Sequence, residues 1–304
     1  MHVKYFYCPV LMRRDEQTQT GERMMDAKAI AQGTVAALER GQYIAEGNTI
    51  DLTGLLATCL SGTRSYDPED LARLREHVLA QPASQPATTF AVVNETTLQG
   101  CTRLIASQQY RRIGVLNFAS AKNPGGGFLG GAQAQEESLA RSSALYFSLR
   151  QCPEHYAFHR TQSTCLYSDR MIYSPACPVF RDDAGRWLAQ PYVVDIITSP
   201  APNAGAIRRN EPANLLHIVP TLTERASKIL ALAAAHQCDA LVLGAWGCGV
   251  FQNDPGTVAR IFHDYLRPSG LYSHYFRHVL FSVYDRARAP KTFEVFARQF
   301  ADLV

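Results

Sequence analysis

Two adjacent glutamates and a run of glycines are the residues whose types and spacing best suit chemistry in this chain. Residues 125–127 are three consecutive glycines, and after seven further residues the chain continues with Gln135, Glu136 and Glu137. Consecutive glycines let backbone N–H groups approach a bulky anion closely. Carboxylates beside such a loop can donate and accept protons in general acid/base catalysis. The alternative is structural: a tight turn, followed by acids that complement the dipole of a helix start.

The elements around this segment would position both features. The apolar run 112–116 predicts a buried strand that leads into the glycines, and residues 135–149 carry apolar residues at helical spacing. A second predicted strand, 239–243, also ends in glycines at 244, 247 and 249, and a helix follows that is capped by Asn253 or Asp254 with Pro255. Because ligands bind where adjacent loops converge beyond the carboxyl ends of strands, the two loops have the geometry to hold a diphosphate. The alternative for residues 244–249 is a tight turn beneath the helix, and taken alone this segment favours neither interpretation.

Strands alternate with helices through the rest of the chain, which indicates an α/β fold with a parallel or mixed sheet covered on both faces. Asp67 and Pro68 mark the start of a helix that we expect to reach Leu79. The Pro-rich residues 81–86 predict a boundary between an N-terminal helical accessory region, 1–86, and a main α/β unit, 87–304. Further predictions are an irregular arm at 1–20, helices at 22–45, 96–109, 220–237 and 292–303, strands at 49–52, 89–93, 170–173, 191–198 and 279–284, and a connection at 203–211.

Composition excludes several classes of protein. A net charge of +3 is too slight to indicate nucleic-acid binding, and no uninterrupted apolar stretch is long enough to cross a membrane. The N-terminus has no signal-peptide pattern, so we expect a cytoplasmic protein, and a monomer. The eight cysteines form no Cys-x-x-Cys pair and are expected to be reduced. His155 and His159 share a helical face, but without a second ligand cluster we expect no metal.

The glycine and glutamate segment resembles the signature of the poly(ADP-ribose) glycohydrolases, in which a triple glycine precedes Gln-Glu-Glu. Residues 117–120 (Asn-Phe-Ala-Ser) and 133–139 (Gln-Ala-Gln-Glu-Glu-Ser-Leu) look like the microbial-type branch in particular. The resemblance implies a macrodomain-like three-layer α/β/α fold with a mixed sheet. It also implies hydrolysis of ribose–ribose bonds in poly(ADP-ribose) to ADP-ribose, from the polymer end, without a cofactor.

By this resemblance, Glu137 would be the general acid/base and Glu136 would position ribose hydroxyls. The implied substrate-binding residues are Asn123, Gly125, Gly126, Gly127, Gln135, Gly247, Cys248, Gly249, Val250 and Phe251. Phe251 would pack against the terminal ribose, or else serve as a core aromatic residue. Glu95 is a candidate for the adenine amino group, although helix capping by Asn94 or Thr96 is the stronger interpretation of that segment.

Two alternative functions stay open from the sequence. One is a related hydrolase that acts on mono-ADP-ribosylated protein or nucleic acid, or on acetylated ADP-ribose. The other is a non-catalytic ADP-ribose reader, which would keep the glycines but would have no need of the two glutamates. The expected partner is therefore ADP-ribose polymer or an ADP-ribosylated protein.

Overall fold

The structure is a computed structural model that describes residues 26–83 and 85–304. A seven-stranded mixed sheet forms its centre. In spatial order the strands are β3 (Arg64–Tyr66), β6 (Met171–Arg181), β7 (Trp187–Ser199), β5 (Ile113–Phe118), β8 (Ala240–Leu243), β9 (His278–Ser282) and β4 (Thr89–Val93). The β3–β6 and β6–β7 pairs are antiparallel, and all the other pairs are parallel. A separate antiparallel hairpin joins β1 (Gln42–Ala45) to β2 (Asn48–Asp51).

Helices cover both faces of this sheet. They are α1 (Ala27–Arg40), α2 (Thr53–Gly62), α3 (Pro68–Leu79), α4 (Thr97–Ser107), α5 (Gln135–Ser142), α6 (Leu145–Leu149), α7 (Pro153–Thr161), α8 (Ala204–Asn210), α9 (Ile218–Ala235), α10 (Pro255–Leu266) and α11 (Lys291–Gln299). Along β8, Leu241 and Leu243 enter the core shared with α9 and α10, whereas Val242 enters the core shared with α2 and α4. This alternation buries both faces of the strand, so the predicted three-layer α/β/α architecture is confirmed.

Capping residues set the helix boundaries that the sequence predicts best. Asp67 caps α3, and its side chain and that of Asp70 accept hydrogen bonds from each other's backbone N–H groups. Thr96 forms the same reciprocal box with Gln99 at the start of α4. Asp254, rather than Asn253, caps α10. Each cap satisfies N–H groups that have no partner within the helix.

Three sequence predictions are wrong. One or two helices were expected over 22–45, but the helix present in the described part of this range ends at Arg40, because Gly41 closes it in a left-handed conformation (φ 68°) and the chain turns into β1. The single helix expected over 135–149 is two helices. They separate at Ser143, which forms a β-bridge with Val179 of the sheet. The connection expected at 203–211 contains α8 instead, whose start is capped by Asn203.

The N-terminal region shares the central sheet and its core. Strand β3 forms one edge of the sheet, and Leu71 of α3 is fully buried in the core that contains α9. Helix α1 packs against the segment that carries the glycines, through Ala31 with Phe128 and Ala140. Residues 26–66 thus comprise two helices, a hairpin and an edge strand, and the functional division at residue 86 stays a prediction. The irregular arm predicted at 1–20 lies outside the described residues.

None of the helices in the described ranges has the length and hydropathy needed to cross a bilayer. All seven cysteines in those ranges are free thiols.

Candidate active site

Two glycine-rich loops follow the carboxyl ends of two neighbouring strands, on the same side of the sheet. We call residues 119–134, after β5, glycine loop 1, and residues 244–253, after β8, glycine loop 2. Strands β5 and β8 are parallel neighbours, so their carboxyl ends lie side by side. The first residue of glycine loop 2 also lies beside the end of β5, because a Cβ atom added to Gly244 would lie 3.1 Å from the ring of Phe118. The predicted convergence of the two loops is therefore present in the fold.

Glycine loop 1 depends on glycine for its backbone conformation and for space. Gly125 (φ 70°) and Gly126 (φ 58°) both lie in the left-handed region, which disfavours other residues. The N–H of Gly126 donates to the carbonyl of Asn123 at 3.0 Å, which closes the turn. A Cβ atom at Gly126 would overlap the carboxylate of Glu137. The missing side chain therefore makes room for an acid.

Glu137 occupies that room. It lies in the first turn of α5, and its Oε1 accepts a hydrogen bond from the N–H of Gly127 at 2.9 Å. Its side chain is only partly buried. Glu137 is thus fixed against glycine loop 1 without being fully buried.

Glu136 is in the opposite environment, at 2% exposure. Its Oε2 accepts from the N–H of Ser120 at 2.6 Å and its Oε1 from the Nδ2 of Asn117 at 3.3 Å. Burial raises the pKa of Glu136 to about 8, and these two hydrogen bonds only partly offset that effect. In this arrangement Glu136 ties the start of α5 to the end of β5 and to glycine loop 1.

Gln135 and Asn117 reinforce the same connection. The Oε1 of Gln135 accepts from the N–H of Phe118 at 2.9 Å, and its Nε2 donates to the carbonyl of Leu116 at 2.8 Å. Asn117 is fully buried, and its Nδ2 also donates to Thr198 at 3.1 Å. Both ends of the Gln135 amide are therefore engaged by the strand. Asn117 ties the end of β5 to Glu136 of α5 and to Thr198 of β7.

Asn123 lies at the entrance to the glycines and is exposed. Its backbone N–H donates to the Oγ of Ser120 at 3.2 Å, which fixes the turn and leaves the side chain at the surface of glycine loop 1.

Asn253, the last residue of glycine loop 2, fixes the first part of the loop through its side chain. The Nδ2 of this buried residue donates to the carbonyls of Gly247, at 3.0 Å, and Pro202, at 2.8 Å. Gly247 has φ 72°, and a Cβ atom there would collide with Ala201. The base of the loop is therefore rigid.

The tip of glycine loop 2 is open. Nothing lies within 4 Å of a Cβ atom built on Gly249, and Val250 is 79% exposed. Phe251 is partly buried, and its carbonyl accepts from the N–H of Gly205 at 3.0 Å. Burial raises the pKa of the Cys248 thiol to about 12, which keeps it neutral near pH 7. The loop thus offers backbone groups, rather than a charged side chain, to a ligand.

Comparison with known proteins gives a consistent result. The family described as the microbial-type poly(ADP-ribose) glycohydrolase (PARG) catalytic domain matches residues 31–182. The crystal structure of PARG from Thermomonospora curvata is 49% identical, with a TM-score of 0.86 and coverage of 90% of this chain and 99% of that chain. A second structure of that PARG, 48% identical, contains the inhibitor ADP-HPD. PARG from Deinococcus radiodurans, in complex with ADP-ribose, is 46% identical, with a TM-score of 0.76 and coverage of 82% and 97%. No curated protein matches.

The chain belongs to the microbial-type poly(ADP-ribose) glycohydrolases. The family match contains glycine loop 1 and both glutamates but ends before glycine loop 2, and the structural matches extend over most of the chain. The chain is accordingly a glycoside hydrolase that acts on poly(ADP-ribose), as the resemblance implies.

Other candidate residues of this glycohydrolase have structural partners. Glu95 is buried and forms an ion pair with Arg103 at 2.6 Å, while its neighbour Thr96 caps α4. His155 and His159 are buried in α7, and burial lowers the pKa of both. No group of three or more metal-ligating side chains is found in the described part of the chain.

The sequence did not identify the residues that brace the two loops. Ser120, Thr198 and Asn253 fix the site through contacts that the fold creates, and a Ser, Thr or Asn in a loop carries no signal of such a role by itself.

Proposed function

We propose that the diphosphate of ADP-ribose binds between glycine loops 1 and 2 and that Glu137 is the general acid and base of hydrolysis. The observation that carries this proposal is the position of Glu137, whose carboxylate accepts from the N–H of Gly127 at 2.9 Å and which, unlike Glu136, is not fully buried. Glycines on both sides let a bulky anion approach the backbone closely, and glycine loop 2 presents its backbone groups at an open tip. The complexes of related PARGs with ADP-ribose and with ADP-HPD support this ligand class.

In the proposed reaction, protonated Glu137 donates its proton to the glycosidic oxygen as the bond from that oxygen to the anomeric carbon breaks. The ribose then carries positive charge, which the neighbouring diphosphate stabilises electrostatically. Water adds to the anomeric carbon, and the Glu137 carboxylate accepts the proton that the water releases. One carboxylate thus acts twice, and the proton balance closes in each turnover.

We assign Glu136, Gln135 and Asn117 a positioning role in this scheme. Their polar groups bind the protein's own backbone and side chains, so they hold Glu137 and the glycines at a fixed separation. Asn123, Gly249, Val250 and Phe251 are the surface residues that we propose to contact ADP-ribose, together with the backbone of Gly125, Gly126, Gly127, Gly247 and Cys248.

We further propose that cleavage proceeds from the end of the polymer. Helix α1 supports this mode, because it lies directly beside the element that carries Glu137. The Oγ1 of Thr34 donates to the carbonyl of Arg141 in α5 at 2.5 Å, and Ala31 packs on Phe128 of glycine loop 1. The N-terminal region therefore borders the site on one side, where it can block a continuing chain.

The free thiols in the described residues support a reducing compartment such as the cytoplasm. We propose a monomer as the active form, which a mass measurement in solution tests.

The function is tested with labelled poly(ADP-ribose) and with mono-ADP-ribosylated protein under the same conditions. We expect release of ADP-ribose from the polymer, with no oligomers of intermediate length at early times. Early oligomers would show internal cutting and contradict the end-directed mode. Release only from the mono-modified protein would move the hydrolase alternative ahead.

A further inference from the structure

A third loop lies next to the strand ends from which glycine loops 1 and 2 continue. Residues 162–170 connect α7 to β6, and β6 runs antiparallel to β7, with Ile172 opposite Thr198. The start of β6 therefore lies beside the end of β7, which is the parallel neighbour of β5. We call residues 164–169 the third loop.

Tyr167, in this loop, has an unfavourable backbone conformation. Its φ of 58° lies in the left-handed region, which a bulky residue rarely adopts. Gln108 and Gln237 have similar values, but Gln108 directly follows α4 and Gln237 is the second residue after α9, where a left-handed residue is common. Tyr167 follows no helix end, so its conformation is imposed by the loop. Such strain persists only where the surrounding contacts over-determine the backbone, and it is concentrated at functional sites.

Contacts with other elements fix the residues on either side of Tyr167 and so impose its backbone conformation. The N–H of Cys165 donates to the Oε1 of Glu211 at 2.8 Å. The carbonyl of Leu166 accepts from the Nη2 of Arg225 at 3.1 Å. The residues that precede Tyr167 are thus fixed from two different elements.

The residues that follow are fixed as well. The Oγ of Ser168 lies 2.8 Å from the Nε2 of His159. Asp169 forms ion pairs with Arg225 at 2.9 Å and with Lys228 at 2.6 Å. Arg225 is 1% exposed, and removing one partner of such a buried pair leaves an uncompensated charge. The third loop therefore cannot relax around Tyr167 at low cost.

The start of α8 binds both the third loop and glycine loop 2, and so holds them next to each other. In the first turn of α8 and its cap, the N–H of Asn203 donates to the carbonyl of Cys165 at 2.8 Å, and the N–H of Gly205 donates to that of Phe251 at 3.0 Å. The rings of Tyr167 and Phe251 consequently lie 6.0 Å apart at 44°, and both are partly exposed.

One further observation places the third loop near glycine loop 1. Burial raises the pKa of the Cys165 thiol, and Lys122 and Arg209 are close enough for their positive charges to act against that increase. Lys122 directly precedes Asn123 in glycine loop 1, so the start of the third loop lies near glycine loop 1, as the order of β6, β7 and β5 also indicates.

We propose that Tyr167 is a further substrate-binding residue, which pairs with Phe251 to hold the terminal ribose of ADP-ribose. This inference rests on the proposed function of the two glycine loops. An aromatic ring packs well on the C–H face of a sugar, and a phenol can also bond a hydroxyl. The strained, fixed loop keeps the ring in place before the ligand arrives, which reduces the entropy lost on binding.

The test uses Tyr167→Ala, Tyr167→Gly and Tyr167→Leu, with affinities for ADP-ribose and for ADP measured by calorimetry. ADP lacks the terminal ribose. We expect ADP-ribose affinity to fall by about 5- to 100-fold in all three variants, the range of aromatic stacking contributions, while ADP affinity stays the same. Tyr167→Gly should melt above Tyr167→Ala, because only glycine accepts the positive φ without strain.

Gln108→Gly is the matched control, since it removes a positive φ of 53° at the end of α4, on the opposite edge of the sheet. It should leave both affinities unchanged. Unchanged ADP-ribose affinity in a folded Tyr167→Leu variant would overturn the proposal, as would an equal loss for ADP and ADP-ribose. If the unaltered protein fails to bind ADP-ribose at all, the proposed function of the two glycine loops fails first.

Discussion

Neighbouring glutamates in α5 have different environments because successive helical residues point about 100° apart. Glu136 points into the protein, where it is 2% exposed, and Glu137 points at glycine loop 1. Two acids of identical chemistry therefore do different work, one as a brace and the other, as we propose, in proton transfer.

The buried Glu136 predicts a pH dependence of stability. Its pKa is raised to about 8 in the folded protein, above the value of about 4.3 in an unfolded chain. Between these values the folded protein holds a proton that the unfolded chain has released. The free energy of unfolding should then fall as pH rises through this window, by at most about 1.4 kcal/mol per pH unit.

The measurement compares melting temperatures of the unaltered protein and of Glu136→Gln across that window. An amide keeps the shape of a protonated carboxyl group and can still accept from the N–H of Ser120, but it has no proton to exchange in this pH range. The variant should lose most of the pH dependence, whereas Glu294→Gln, at an exposed position, should keep it. Identical pH profiles for all three proteins would show that Glu136 is not protonated on folding.

At the level of elements, glycine loop 1 and α5 form one unit. The loop leaves space at Gly126 and the helix fills it with the carboxylate of Glu137. Because Gly126 also has φ 58°, an added side chain meets both a steric and a conformational penalty there.

Gly126→Ala should therefore displace Glu137 and lower turnover by about 100-fold or more, since small misplacements of a catalytic group have effects of this size. The control is Gly130→Ala in the same loop, where a Cβ atom would meet nothing within 4 Å. It should retain nearly full turnover. The measurement is the steady-state rate of each variant on labelled polymer. Similar rates for both variants would contradict the role assigned to Gly126.

Local signals allowed most elements to be predicted from the sequence. The start of α3 carries Asp67 and Pro68, and the start of α10 carries Asp254 and Pro255. In both cases the capping residue and the proline indicate from the sequence where the helix begins. Long-range contacts defeated the predictions elsewhere. Helix α5 ends at Ser142 because Ser143 bridges to β6, which lies far along the chain.

In the candidate site, too, local features could be predicted from the sequence and long-range contacts could not. The sequence identified the glycines and the glutamates, since their types and spacing are unusual. It could not show that Glu136 is buried or that Gln135 is engaged by β5, because both facts depend on how α5 packs on the sheet. Tyr167 was missed for the same reason: only the folded chain places its ring beside Phe251.

At the level of the whole molecule, strand order explains why the site lies where it does. Strand β5 lies between β7 and β8, all three are parallel, and their carboxyl ends share one edge. Glycine loops 1 and 2 continue from β5 and β8, and the third loop enters beside β7. The N-terminal region adds α1, which packs against α5 and glycine loop 1, so elements from both sides of the predicted boundary at 86 support the site.

The most direct test of proton transfer by Glu137 is the rate of ADP-ribose release from labelled polymer by Glu137→Gln, with ADP-ribose affinity measured on the same preparation. The amide keeps the shape of the side chain and can still accept from Gly127, but it cannot exchange the proton. We predict that turnover falls by about 10²–10⁴-fold or more while affinity stays nearly constant. Near-full turnover, or a parallel loss of affinity and rate, would contradict the assignment of Glu137 as the general acid and base.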